Sequence, residues 1–171
     1  WETELQVHAV LDTLGELNGR LVGHVGYGAV AAHLAPILHA CGAAVVYTAR
    51  QARPQAVGQP CSFDELLRVS DIVSLHVPLT PETTRLMDAA AFARMKPGSV
   101  FINTARGGLV DVPALIVALQ SGHLRAVGLD VFADEPIHTD NPLLTLDNVV
   151  VTPHIAWLTP ETLECSCTIA F

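Results

Sequence analysis

Short apolar runs alternate with longer segments of helical spacing along most of the chain. The runs are continuous rather than alternately apolar and polar, which is typical of strands covered on both faces of a sheet. Six runs are predicted to be strands: residues 21–26, 43–47, 71–76, 100–103, 126–131 and 149–151. Because strands and helices alternate, the pattern predicts a single α/β domain built on an open, mostly parallel, doubly wound sheet with helices on both faces.

The helices between these strands carry recognisable start and stop signals. Residues 29–41 are rich in Ala and Leu at helical spacing, and Gly42 stands where a helix commonly ends. Residues 62–65 (Ser-Phe-Asp-Glu) form a capping box, in which the Ser and the Glu each satisfy a free backbone N–H at a helix start. Further helix starts are predicted at Asp88, at Asp111 with Pro113 in the first turn, and at Thr159 before Pro160. Residues 49–60 hold turn signals and are interpreted as a loop.

Composition supports one folded domain and excludes some partners. Half of the 171 residues are apolar and only 15% are charged, so the chain can bury a core. Residues 1–17 are interpreted as a lead-in segment, and residues 18–171 are predicted to form the domain. Acidic residues outnumber basic ones by 17 to 9, and the net charge is −8. An acidic chain with no basic run is a poor candidate for binding nucleic acid or an anionic membrane.

Neither a membrane span nor a metal centre is predicted. No apolar stretch is long enough to cross a bilayer, and the chain opens with Trp1-Glu2-Thr3-Glu4, without the pattern of a signal peptide. The four cysteines are scattered without a CxxC pair, so neither a disulfide framework nor metal binding at Cys165-Ser166-Cys167 is expected. These features predict a reducing, cytoplasmic setting.

A glycine-rich segment follows the first predicted strand and opens a helix. Residues 26–31 (Gly-Tyr-Gly-Ala-Val-Ala) fit the pattern G-x-G-x-x-G/A of a dinucleotide-binding Rossmann unit. Gly26 permits the tight turn, Gly28 lets a pyrophosphate approach the backbone, and Ala31 keeps helix and strand close. The helix N-terminus would then offer free N–H groups to the phosphates. The alternative is a glycine-rich turn that only packs.

The residue after the second strand bears on the choice of cofactor. In such domains an acidic residue there binds the ribose 2′-OH of NAD. Here that position is Thr48, and Arg50 and Arg53 follow it. A missing acid with arginines nearby suits a 2′-phosphate and favours NADP(H) over NAD(H), unless Arg50 and Arg53 are ordinary solvated loop residues.

Three polar side chains follow later strands, at the edge of the sheet where ligands bind in doubly wound folds. Arg106 is suited to holding a carboxylate through a two-pronged contact. His154 is suited to giving a proton to a carbonyl oxygen, and Glu135 to orienting the imidazole and favouring its charged form. Together they suit reduction of a 2-keto acid. Taken singly, each has a plain alternative: a solvated Arg, a capping Glu and a packed His.

Several segments, in this order along the chain, resemble one family. They are residues 26–28, 70–83 (SDIVSLHVPLTPET), 95–98 (MKPG), 102–111 (INTARGGLVD), 128–132 (GLDVF) and 152–156 (TPHIA). Over about residues 18–162 the chain is similar to the nucleotide-binding domain of D-isomer-specific 2-hydroxyacid dehydrogenases. The resemblance implies that Arg106, Glu135 and His154 are the catalytic residues.

The same resemblance implies cofactor contacts along the sheet edge. These are Ala29 and Val30 at the pyrophosphate, Thr48 at the adenine ribose, Val77, Pro78 and Thr83 on the adenosine side, and Thr104 and Asp130 on the nicotinamide side. It also implies a small-molecule 2-keto or 2-hydroxy acid as substrate and a homodimer that pairs through this domain.

Two segments narrow the branch of the family. Residues 47–54 resemble NADPH-preferring glyoxylate/hydroxypyruvate reductases, and residues 154–157 resemble the glycerate dehydrogenase and hydroxypyruvate reductase branch. Family members are longer and have a substrate domain that is not seen here, so the lone domain is expected to bind cofactor and to turn over slowly or not at all. The alternative is a nucleotide-sensing interaction protein like the corepressor relatives of the family.

Overall fold

The computed structural model describes residues 15–51 and 53–162, and its centre is a seven-stranded, all-parallel sheet. The strands are β1 Leu21–Val25, β2 Ala44–Thr48, β3 Gln59–Pro60, β4 Ile72–Leu75, β5 Ser99–Asn103, β6 Leu124–Leu129 and β7 Val149–Val151. They lie in the order β3-β2-β1-β4-β5-β6-β7. The chain therefore builds outward from β1 to one edge and returns to β4 to build toward the other. The switch point lies between β1 and β4, where doubly wound folds bind ligands.

Four α-helices connect the strands: α1 Ala29–Ala40, α2 Phe63–Val69, α3 Ala89–Arg94 and α4 Val112–Gln120. Two short 3-10 helices, Gly107–Leu109 and Pro142–Thr145, complete the connections. The side chains of Ser62, Asp88 and Asp111 accept hydrogen bonds from the first turns of α2, α3 and α4. The three helices therefore begin at the predicted N-cap residues. Of the capping box predicted at residues 62–65 only the Ser62 half forms, since the Ser62 N–H has no hydrogen bond to the Glu65 side chain among the described residues.

Two groups of buried side chains hold the sheet to its helices. The larger group includes Leu66, Phe92, Phe101 and Leu115, and the rings of Phe92 and Phe101 meet edge to face at 5.4 Å between centroids. The smaller group joins α1 to β2 and consists of Tyr27, Ala31, Ala35, Val45 and Tyr47. Ala31 is fully buried, in keeping with the close approach of helix and strand expected there.

The predicted doubly wound α/β fold is confirmed, with one correction. The prediction of six strands was wrong, because Gln59–Pro60 forms a seventh strand beside β2, with Val46 opposite Gln59. This strand has two residues at the edge of the sheet, and neither Gln nor Pro has a high strand propensity, so no apolar run marks it. The last predicted helix begins at Pro160, and residues 160–162 are the part of it that the structure describes.

Other predictions lie partly or wholly outside the described residues. Most of the lead-in segment and Cys165 and Cys167 fall there, and the domain boundary at residue 18 stays a prediction. Across residues 15–51 and 53–162, no helix has the length and apolar character needed to span a membrane. The same residues contain no cluster of three or more His, Cys, Asp or Glu side chains placed to hold a metal ion.

Candidate cofactor and catalytic site

The glycine loop lies at the carboxyl end of β1, beside the switch point. Gly26 has a φ of +95°, and a Cβ there would lie 2.7 Å from Val77 Cγ1 and 2.8 Å from the carbonyl oxygen of His76. Both the backbone conformation and the lack of space therefore require glycine. The N–H of Gly26 donates to Thr48 Oγ1 at 3.1 Å, which ties the loop to the end of β2.

The start of α1 differs from the starts of the other three helices. Its N-cap residue is Gly28, and no side chain accepts a hydrogen bond from its first turn. A Cβ added to Gly28 would meet nothing within 4 Å, so the space above this residue is open. The first N–H groups of α1 and the positive end of its dipole thus face an open region, which is the arrangement that binds phosphate groups.

Two adjoining clefts open beside this helix start. The β2-side cleft has a volume of about 760 Å³ and the β5-side cleft about 660 Å³, and Gly28, His76, Val77 and Pro78 line both. Nine of the predicted cofactor residues line one or both clefts: Gly26, Gly28, Ala29, Val30, Thr48, Arg50, Val77, Pro78 and Thr104. Arg53 lines the β2-side cleft and Arg106 the β5-side cleft. The fold therefore brings the phosphate-binding signal, the two arginines after β2 and the predicted catalytic arginine to one continuous surface.

Two predicted cofactor residues line neither cleft. The hydroxyl of Thr83 donates to the carbonyl of Pro78 at 2.7 Å and accepts from the N–H of Thr80 at 2.8 Å, so it closes the turn that follows Pro78. Asp130 is only 2% exposed and lies at the end of β6. Cofactor contacts by these two residues stay predictions.

His154 and Glu135 form a hydrogen-bonded pair after β7 and β6. Nδ1 of His154 lies 2.8 Å from Glu135 Oε2, and the N–H of Phe132 donates to Glu135 Oε1 at 2.9 Å. These hydrogen bonds, that from Phe132 first and that from His154 second, hold the pKa of the Glu135 carboxyl below its usual range. An ionised Glu135 fixes the tautomer with the proton on Nδ1, so Nε2 is the ring nitrogen left to exchange a proton with a bound molecule.

Asp130 builds the turn that presents His154. Its carboxylate accepts hydrogen bonds from the hydroxyl of Thr152 and from the N–H groups of Ile155 and Ala156, each N–H at 2.9 Å. Burial raises the pKa of Asp130, but these three hydrogen bonds outweigh it, so the net pKa lies below the usual value. His154 itself has a φ of +56°, which non-glycine residues adopt only where the surroundings hold them there.

The loop that carries Arg106 is held from both sides by Asn103, which is fully buried at the end of β5. Its amide nitrogen donates to the carbonyl of Arg106 at 2.9 Å, and its side-chain oxygen accepts from the N–H of Ala105 at 3.0 Å. The guanidinium group is exposed, and its only hydrogen bond to the described residues goes to the carbonyl of Ala105. Arg106 is therefore free to meet an anion in the cleft.

The Arg106 loop touches the Glu135 loop through a glycine. A Cβ on Gly107 would lie 2.0 Å from the carbonyl carbon of Phe132, so the two backbones are in direct contact there. Because the N–H of Phe132 also binds Glu135, this contact fixes the arginine loop relative to the acid–base pair. Asn103 and Phe132 had no predicted role, although both lie next to strand ends and within the segments that resemble the family, residues 102–111 and 128–132.

The fold and the site together define a class of protein. A glycine loop and an uncapped helix at the switch point of a parallel sheet are the features of a dinucleotide-binding domain. The His154–Glu135 pair follows β7 and β6 at the same end of the sheet but lines neither of the two clefts. The model of the family described as D-isomer specific 2-hydroxyacid dehydrogenase, NAD binding domain, matches residues 3–156. The chain belongs to this family, as the resemblance indicated.

Individual relatives agree with this assignment. The chain is 48% identical over 150 residues to a D-3-phosphoglycerate dehydrogenase of Mycobacterium leprae, covering 85% of this chain and 28% of that protein. It is 45% identical over 152 residues to glyoxylate/hydroxypyruvate reductase B of Citrobacter koseri, covering 86% and 47% respectively. The structure of D-lactate dehydrogenase with NAD+ from Lactobacillus jensenii is 33% identical, with a TM-score of 0.85 over 91% of this chain and 52% of that one. The chain thus spans about half or less of the length of these relatives.

Proposed function

We propose that this chain is the cofactor-binding and acid–base half of a dehydrogenase that transfers hydride between a nicotinamide cofactor and a small D-2-hydroxy acid or 2-keto acid. The observation that carries the proposal is the His154–Glu135 pair, which follows β7 and β6 at the carboxyl ends of the parallel strands, the same end of the sheet as the glycine loop and Arg106. A nucleotide site alone would need no such pair.

The chain's own residues supply three parts of the reaction. The N-terminus of α1, with Ala29 and Val30, would hold the pyrophosphate, and Gly28 leaves the room that the phosphates need. The bound nicotinamide supplies or accepts the hydride. Arg106 would hold the substrate carboxylate with its exposed guanidinium, while Asn103 and Gly107 hold the backbone of its loop.

His154 would move the proton. In the direction of reduction, Nε2 gives its proton to the carbonyl oxygen, and in oxidation it takes the proton from the hydroxyl. Glu135 holds Nδ1 and stabilises the imidazolium whenever the ring is charged, as a carboxylate does in other histidine pairs. The relatives reported above are named as dehydrogenases and a reductase, which supports an enzyme over the corepressor-type alternative.

The proposed cofactor preference is NADP(H) over NAD(H). The side chain at the end of β2 is Thr48 rather than an acid, and its hydroxyl is occupied by Gly26. Arg50 and Arg53 line the same cleft and offer the positive charge that a 2′-phosphate needs. Glyoxylate or hydroxypyruvate is the favoured substrate class, supported by the relative from Citrobacter koseri; the phosphoglycerate dehydrogenase relative names the main competitor. The homodimer and the cytoplasmic location stay predictions.

Titration of the chain with NADPH and NADH, followed by cofactor fluorescence, tests the proposal. We expect both to bind and NADPH to bind more tightly; a chain that binds neither would refute a cofactor-binding role. With a substrate domain present, cofactor oxidation with glyoxylate, hydroxypyruvate and pyruvate identifies the substrate class. His154→Ala and Arg106→Ala should abolish that oxidation, whereas the matched changes His39→Ala and Arg125→Ala, away from the clefts, should leave it intact.

A further inference from the structure

The hydroxyl of Tyr27, the middle residue of the glycine loop, is hydrogen-bonded to the backbone of Val57. It accepts from the N–H of Val57 at 2.9 Å and donates to the carbonyl of the same residue at 3.1 Å. One side chain thus satisfies both backbone groups of Val57, just before the chain enters β3. The rest of the Tyr27 side chain is buried against Tyr47, with 4.3 Å between ring centroids.

Val57 directly follows a tight turn formed by residues 53–56, and we call the whole segment of residues 53–58 the 53–58 turn. The N–H of Ala56 donates to the carbonyl of Arg53 at 2.9 Å and closes the turn, so the position of Val57 helps to set that of Arg53. At the other end, Gly58 packs on β2: a Cβ there would lie 2.7 Å from the carbonyl oxygen of Val45. The Tyr27 hydroxyl is therefore the hydrogen-bonded link between the glycine loop and this turn.

Arg53 stands where the turn meets the cofactor clefts. It lines the β2-side cleft together with Thr48 and Arg50, and it also lines a neighbouring cleft between the turn and the start of α1. The pyrophosphate site at Gly28 and the arginine of the 53–58 turn are thus connected through one phenolic oxygen. Arg50 lies two residues after the end of β2, outside the 53–58 turn, and does not depend on this link.

We propose that Tyr27 is a positioning residue for cofactor discrimination: its hydroxyl holds the 53–58 turn so that Arg53 faces the 2′-phosphate of NADP(H). The proposal rests on the proposed cofactor site and adds the residue that sets its geometry. The hydrogen bonds from Tyr27 to Val57 are needed because the Arg53 side chain is exposed and has no ion pair within the described residues that would hold it in place. With the hydroxyl removed, both backbone groups of Val57 lose their partner and the turn is free to move away.

Equilibrium titrations of the chain with NADPH and NADH test this through four variants. Tyr27→Phe removes only the hydroxyl, and we expect NADPH to bind roughly tenfold more weakly while NADH changes less than about threefold. Arg53→Ala should show the same selective loss. In the double variant Tyr27→Phe/Arg53→Ala the loss should not exceed that of Arg53→Ala alone, because both changes remove the same contact. Tyr47→Phe is the matched control, since its hydroxyl has no hydrogen bond to the described residues, and both affinities should stay as in the wild type.

Amide hydrogen exchange provides a readout independent of cofactor. The N–H of Val57 should be protected in the wild type and in Tyr47→Phe, and should exchange much faster in Tyr27→Phe while the amides of β1 and β2 keep their protection. Unchanged protection of Val57 would overturn the proposal. Equal weakening of both cofactors, losses that add in the double variant, or no effect of Arg53→Ala on NADPH would also overturn it, with the cofactor site itself intact. A wild-type chain that binds neither cofactor would instead refute the proposed function.

Discussion

His24 should make the free energy of unfolding of this domain depend strongly on pH. The side chain lies on β1, is fully buried, and neither ring nitrogen has a hydrogen-bond partner among the described residues. Its ring meets that of His76 edge to face at 4.7 Å between centroids, and the ring of Tyr27 lies 6.5 Å away between centroids. Burial first, and the nearby His76 second, lower the pKa of His24 from 6.5 to about 4. Burial likewise lowers the pKa of His76 to about 4.

The sign and size of the effect follow from these values. Between pH 6.5 and 4 the unfolded chain binds the proton and the folded chain does not, so stability is full above pH 6.5 and falls as the pH drops. For His24 alone, the loss reaches about 2 kcal/mol by pH 5 and about 3 kcal/mol by pH 4. His76 adds to the loss in the same window, although the two rings interact and their contributions do not simply add. A domain of ordinary stability has a free energy of unfolding of about 5–15 kcal/mol and would lose a large part of it.

Urea unfolding at a series of pH values from 7 to 4 measures this directly. His24→Leu keeps a similar volume and removes the unpaired nitrogens, so its free energy of unfolding should fall by about 2 kcal/mol less than that of the wild type between pH 7 and pH 5. His39→Gln, an exposed histidine on α1, should follow the wild-type curve. If His24→Leu loses as much stability as the wild type over this range, folding does not lower the pKa of His24 and the reasoning fails.

Three further changes probe the site. Asp130→Asn removes the charge that holds the turn of His154, so thermal unfolding should show a loss of about 2–3 kcal/mol, and an unchanged midpoint would contradict the role given to that carboxylate. Gly107→Ala places a Cβ against the backbone of Phe132, where nothing can yield; we expect a loss of about 3 kcal/mol or more in urea unfolding, and a wild-type midpoint would show that the loops do not touch. Gly28→Ala meets no atom and has a negative φ, so its unfolding midpoint should change little, while titration should show at least about tenfold weaker binding of both cofactors because the methyl group occupies the phosphate space. Unweakened binding would place the phosphates elsewhere.

The parts of the fold that were predictable are those in which local signals agree with the tertiary structure. Strand β4 (Ile72–Leu75) is apolar except for Ser74, and Ser62 caps α2 where expected. Burial on both faces of a sheet favours apolar residues, and the free N–H groups at a helix start favour a side chain that accepts hydrogen bonds. The edge strand Gln59–Pro60 has neither signal. The position of this strand is set by its pairing with β2 and by the packing of Gly58 against Val45, and both are tertiary contacts rather than local signals.

The candidate site shows the same division. The glycine loop and the likeness of residues 102–111 to a family motif point to the clefts, since phosphate binding and carboxylate binding demand particular residues. The tertiary contacts that position those residues could not be predicted from the sequence. The predicted contact of Asp130 with the nicotinamide stays a prediction, and no sequence signal showed that its carboxylate binds the turn of His154. Tyr27 occupies a variable place in the motif, and no sequence signal showed that its hydroxyl reaches Val57. Contacts between distant segments of chain leave no periodic pattern.

The switch point also separates two groups of proposed functional residues at the carboxyl ends of the strands. The residues proposed to choose the nucleotide follow β1 and β2, on one side of it, whereas Arg106, Glu135 and His154 follow β5, β6 and β7 on the other. If the proposed function holds, substitutions on the first side change which nucleotide binds and leave the groups proposed for proton transfer unchanged. Selection can thus adapt an enzyme of this design to a new cellular nucleotide supply in few steps, without rebuilding its acid–base chemistry.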